Sequence, residues 1–75
     1  MMNLVVDVGN TRIKYAFFDG DRFVEARYQT GELLEEISKW KNAGNEIHLL
    51  LSGSGRVPDD MRLLLKEASD SFWEA

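Results

Sequence analysis

The run Leu4-Val5-Val6-Asp7-Val8 constrains this chain more than any other stretch. Its four apolar residues, three of them valines, surround one acid. A strand with one wet face alternates apolar and polar residues, whereas a near-continuous apolar run suits a strand covered on both faces. Asn3 to Val8 therefore reads as a central strand that needs neighbours on both sides. The chain has 75 residues in which to supply them, enough for one small domain. Domains of this size bury only about 60% of their unfolded surface. The chain has no cysteine, so disulfides cannot supplement apolar burial.

The rest of the chain supplies those neighbours. Gly9-Asn10-Thr11 reads as a turn, and Arg12 to Asp19 as a second strand with Ile13, Tyr15 and Phe17 on one face. Asp19-Gly20-Asp21 is a hairpin signal, and Arg22 to Gln29 follows as a third strand. The period then becomes helical. Leu33, Leu34, Ile37 and Trp40 give an apolar stripe, with Thr30 as N-cap and Gly44 as the stop. Ile47 to Leu51 reads as a buried fourth strand, and Ser52-Gly53-Ser54-Gly55 as a connecting loop. Pro58 opens a second helix whose first turn carries Asp59 and Asp60 and whose stripe is Met61, Leu64, Leu65 and Ala68. Phe72 and Trp73 then look like the beginning of a fifth strand. A natural domain usually finishes an element before ending, so residues 1–75 are expected to be the N-terminal part of a longer, incomplete domain.

The order β-β-β-α-β-α, with the fourth strand laid beside the first by a right-handed crossover, predicts an α/β fold with a mixed sheet. This order is expected to be the first half of a ribonuclease H-like sheet. If the fourth strand lacks a paired neighbour, its edge, with Phe72 and Trp73 exposed beside it, should invite another chain. A homodimer is the expected remedy.

Charge and composition exclude several functions. Nine basic and thirteen acidic residues give a net charge of −4, which disfavours nucleic-acid binding. No apolar run approaches the roughly 20 residues of a membrane span, and the N-terminus lacks a signal-peptide pattern. A cytoplasmic location is expected. His48 is the lone histidine and reads as structural, and no Ser-His-Asp or Cys-His constellation is legible. Ser52 to Arg56 reads as a solvated loop.

The chemistry concentrates at the end of the first strand. A glycine followed by small polar residues lets backbone approach a ligand closely, and turn N–H groups with Asn10 and Thr11 can donate to phosphate oxygens. Lys14 adds positive charge. Asp7 can hold a hydrated Mg²⁺, which takes one or two carboxylates and keeps its waters. The bland alternative is a plain β-turn in which Asp7 and Asn10 satisfy backbone amides.

The segment DVGNTRIK, Asp7 to Lys14, resembles the first phosphate motif of the type III pantothenate kinases. These belong to the acetate kinase/sugar kinase/Hsp70/actin superfamily. The match rests on Asp7, Gly9, Asn10, Thr11 and Lys14, close to the N-terminus. The resemblance implies ATP-dependent phosphorylation of pantothenate, the first step of coenzyme A synthesis. It implies a phosphate site at Asp7, Val8, Gly9, Asn10, Thr11, Arg12, Ile13 and Lys14, with Asp7 on Mg²⁺. A monovalent cation, K⁺ or NH₄⁺, would assist. The family's second phosphate motif, its adenosine motif and its Gly-x-Asp-Arg segment with the catalytic aspartate are absent from this sequence. The loop SGSGRVP keeps Val57 and Pro58 but carries extra glycine. Isolated, the chain is expected to be inactive. Some family members were first described as accessory factors in transcription, so the same resemblance permits a non-catalytic regulatory or binding protein.

Overall fold

The computed structural model describes residues 1–9, 12–28, 32–53 and 57–75. Its elements run β1 (Met2–Val8), β2 (Ile13–Asp19), β3 (Arg22–Arg27), α1 (Leu33–Asn42), β4 (Ile47–Gly53), α2 (Asp59–Ala68) and β5 (Ser71–Glu74). The strands form one mixed sheet in the order β3-β2-β1-β4-β5.

The first three strands are a local meander. β1 and β2 pair antiparallel from Met2 opposite Asp19 to Val8 opposite Ile13. Between β2 and β3, Gly20 takes a φ of 63°, a left-handed conformation that glycine adopts without a Cβ penalty. The β2–β3 register then shifts between Phe17 and Phe18, so that Phe17 faces Glu25 but Phe18 faces Phe23. The two phenylalanine rings meet edge to face at 5.8 Å.

α1 carries the chain across, so that β4 runs parallel to β1, from Met2 beside Ile47 to Val8 beside Gly53. Glu32 stands at the N-cap of α1 without a side-chain capping bond. The N-cap expected at Thr30 lies outside the described residues. At the other end Gly44 takes a φ of 93°, and its N–H donates to the Lys41 carbonyl at 2.9 Å. α2 starts behind an extended Pro58, with Asp59 and Asp60 in its first turn and Lys66 in its last, charges that suit the helix dipole.

Both helices contribute to one apolar cluster. Leu33 and Ile37 of α1 and Leu65 of α2 join Met2, Leu4, Val6, Val8, Tyr15, Phe17, Ile47, Leu49 and Leu51. The helices thus cover the same face of the sheet. β1 is not covered on both faces: Met2, Leu4, Val6 and Val8 are buried, whereas Asn3 and Val5 are half-buried and Asp7 is exposed. The helical stripes also differ from expectation. Leu34 and Leu64 are exposed, while Glu36 is buried beside Leu33 and Ile37. Leu33, Glu36, Ile37 and Trp40 follow the i, i+3, i+4, i+7 spacing of one helix face.

The fifth strand begins at Ser71 and pairs parallel with β4, from His48 beside Ser71 to Leu51 beside Glu74. β4 is therefore internal, and the sheet edge belongs to β5. Phe72 packs against the core, and only Trp73 of the two aromatics is left in solvent, 59% exposed.

Candidate functional site

The registers set out the uncovered face as cross-strand rows. One row is apolar across the whole sheet: Ala26, Ala16, Val5, Leu50 and Trp73. The next, toward the carboxyl end of β1, is polar. Lys14 of β2, Asp7 of β1 and Ser52 of β4 stand side by side.

That row separates the residues expected to bind phosphate. Asp7, Arg12 and Lys14 are exposed. Val8 is buried in the helix-side core and Ile13, its partner in register, packs against that core, so these two side chains hold the strand ends down. Asn10 and Thr11 lie outside the described residues. The N–H of Gly9 donates to the Arg12 carbonyl at 2.8 Å, closing the turn, so this donor is engaged within the chain. A Cβ at position 9 would stand 3.1 Å from the same carbonyl oxygen. Gly9 therefore has a role in the turn itself.

The ends of the parallel strands meet closely beside it. A Cβ on Gly53 would come within 2.4 Å of the Val8 carbonyl oxygen, far inside contact distance. Only glycine lets β4 lie against β1 here. From this point a polar cleft of about 390 Å³ opens between the ends of β4 and β5 and the start of α2. Its guanidinium, Arg62, donates from Nε to both Glu74 oxygens, at 2.8 and 3.0 Å, and from Nη1 to Asp59 at 2.8 Å. The bonds to Glu74, followed by the fields of Glu74 and Asp59, hold Arg62 even more firmly protonated. Asp59 thus acts as an ion-pair partner as well as a helix-start acid. The i, i+3 spacing of Asp59 and Arg62 is a signal the sequence reading did not use, whereas Glu74, twelve residues away, carries none.

Two other clusters sit apart from this end. Under α1, Arg27 reaches Glu36 at 3.3 Å, Glu25 at 3.5 Å and Glu32 at 3.8 Å. A hydrogen bond with Glu25, then burial, raises the pKa of Glu36, and the same bond lowers that of Glu25. Burial, reinforced by Glu36, raises the nearby Tyr15. At the opposite end of the sheet, His48 Nδ1 and Ser71 Oγ share a hydrogen bond. Its Nε2 lies 3.3 Å from Glu46 without hydrogen-bond alignment. The structure brings together a Glu46–His48–Ser71 group that sequence reasoning missed, because 23 residues separate His48 from Ser71.

Asp7 offers a divalent ion one exposed carboxylate. Among the described residues no three acids, histidines or cysteines gather as a metal cage. One carboxylate with retained waters is the donor set that Mg²⁺ accepts and a tightly caged metal does not. No helix among the described residues is long and apolar enough to cross a membrane. Compared with known proteins, the chain matches no family model and no curated protein sequence.

Proposed function

We propose that this chain is the nucleotide-phosphate-binding N-terminal portion of a cytoplasmic type III pantothenate kinase with a ribonuclease H-like fold. The observation that carries the reading is the placement of Asp7. It is an exposed acid at the carboxyl end of the central strand, beside Lys14 and two residues before Gly9. Ligands of open α/β sheets bind at the carboxyl ends of such strands. The strand order β3-β2-β1-β4-β5 and the motif Asp7-Val8-Gly9-Asn10-Thr11 with Lys14 support the same reading.

On this reading ATP donates a phosphoryl group to pantothenate, and the chain's part is to hold and neutralise phosphate. Asp7 would hold Mg²⁺, which would offset the charge that develops on the transferring group. Arg12 and Lys14 supply fixed positive charge beside it. Val8 and Ile13, packed in the core, keep that end of the hairpin from moving. The catalytic aspartate belongs to the Gly-x-Asp-Arg segment that such an enzyme carries further along its chain. Asp7→Asn in the complete enzyme should lower kcat by orders of magnitude with the fold intact by circular dichroism. Near-normal turnover in a steady-state kinase assay would overturn the assignment.

A second reading is favoured by the uncovered apolar row. A non-catalytic binding protein on the same scaffold would use Val5, Leu50 and Trp73 to hold a partner, and a homodimer is the simplest such complex. Light scattering at rising concentration tests the dimer, which both readings allow. A monomer throughout would remove the dimer from either reading.

A further inference from the structure

The geometry points to Tyr28 as a positioning residue that keeps the cations of the phosphate site off Asp7. This inference rests on the reading of Asp7 to Lys14 as a site for Mg²⁺ and phosphate.

Asp7 and Lys14 are direct cross-strand partners. Opposite charges in that relation ordinarily pair, since their Cβ atoms stand about 4.5–5.5 Å apart. A lysine resting on Asp7 would cancel the charge that a divalent ion needs. Here Lys14 forms no ion pair with Asp7. Its Nζ instead lies over the Tyr28 ring, 6.0 Å from the centroid. The Arg12 guanidinium lies over the same ring, with Cζ at 5.8 Å. The ring's negative face attracts both, and Arg and Lys are held within about 6 Å of aromatic faces by this quadrupole.

The sheet explains why Tyr28 is in place. Tyr15 pairs with Arg27, so the next residue of β3's strand line, Tyr28, falls on the far side of Lys14 from Asp7. The polar row thus reads Tyr28, Lys14, Asp7, Ser52 across four positions. Tyr28 is 59% exposed and contributes little to the core, so packing alone does not account for a large aromatic here. Its ring draws both cations, and among the described residues the Asp7 carboxylate is left without an ion pair. An anion of the oligophosphate class, with Asp7 as the residue that would hold Mg²⁺, would meet both halves at once.

The test uses the chain itself, with inorganic pyrophosphate and Mg²⁺ as the probe. Calorimetric titration should show binding by the unaltered chain and by Tyr28→Phe, which keeps the ring, to within about twofold. Tyr28→Leu should bind about tenfold more weakly, the scale of one to two cation–π contacts. Proton NMR supplies a readout independent of binding. The Lys14 side-chain resonances should be shifted upfield by the ring in the unaltered chain and in Tyr28→Phe, and should return to ordinary positions in Tyr28→Leu. Equal pyrophosphate affinity in Tyr28→Leu would overturn the inference and leave the phosphate site standing. Absence of pyrophosphate binding by the unaltered chain would count against the phosphate reading. Unshifted Lys14 resonances in that chain would overturn the positioning role by themselves.

Discussion

Leu49 and Leu50 are the same residue, adjacent in the same strand, in opposite environments. Leu49 is wholly buried under the helices, while Leu50 is 40% exposed on the other face. The contrast extends across the sheet. On one face both helices close over a dry cluster. On the other, an apolar row and a row carrying charge lie open side by side. One face is built for stability, and the other presents chemistry to whatever binds.

The most direct way to break that comparison is to truncate each leucine. Leu49→Ala should cost roughly 2–5 kcal/mol in urea unfolding, as buried leucine truncations do. That is a large part of the 5–15 kcal/mol typical of whole domains. Equal losses at positions 49 and 50 would mean that the open face is covered in solution.

The junction of β1 with β4 comes next. Gly53→Ala places a methyl group against the Val8 backbone, where no flexible side chain can yield. A cost of about 1–3 kcal/mol is expected, the range of overpacked cores. An unchanged urea midpoint would show that the two strand ends separate freely.

Leu50→Ala should cost less than about 1 kcal/mol, since less area leaves water there. It should instead reduce any self-association seen by light scattering. The smallest effect is electrostatic and sits at the helix-side margin. Glu36 has a raised pKa in the folded chain, chiefly through its bond with Glu25. It therefore binds its proton more tightly folded than unfolded. That contribution is full below the ordinary carboxylate pKa and is lost as pH rises through the folded value. Glu36→Gln should flatten this part of the stability–pH profile. An unaltered profile would place the shared proton elsewhere.

The sequence made the meander legible because its turns carry local chemistry, as at Gly20. The fifth strand was legible for a similar reason, its paired aromatics. The single-sided cover of β1 was not. An apolar run says that a strand is central, but the helices that choose a face lie far along the chain. Val5 shows the ambiguity, since it is apolar yet belongs to the open row. Glu36 is ambiguous in the opposite sense, a charged residue whose spacing from Leu33 and Ile37 places it inward. The guanidinium of Arg27 on β3, 3.3 Å from Glu36, makes that burial tolerable. Within the candidate site, the sequence marked Asp7, Arg12 and Lys14. Tyr28 was invisible until the β2–β3 register set it across from Lys14.

The central position of β1 has a consequence in time. Its antiparallel neighbour is close in sequence, with Val8 and Ile13 only five residues apart, whereas each pairing with β4 spans 45 residues, as from Met2 to Ile47. Loop closure over the longer separation is costlier, and non-local pairings form more slowly. During synthesis the first strand made waits, half-satisfied on its hairpin, until β4 has left the ribosome. The topology favours the hairpin before the crossover, with the Gly9 end of the molecule completed only when Gly53 lies beside Val8.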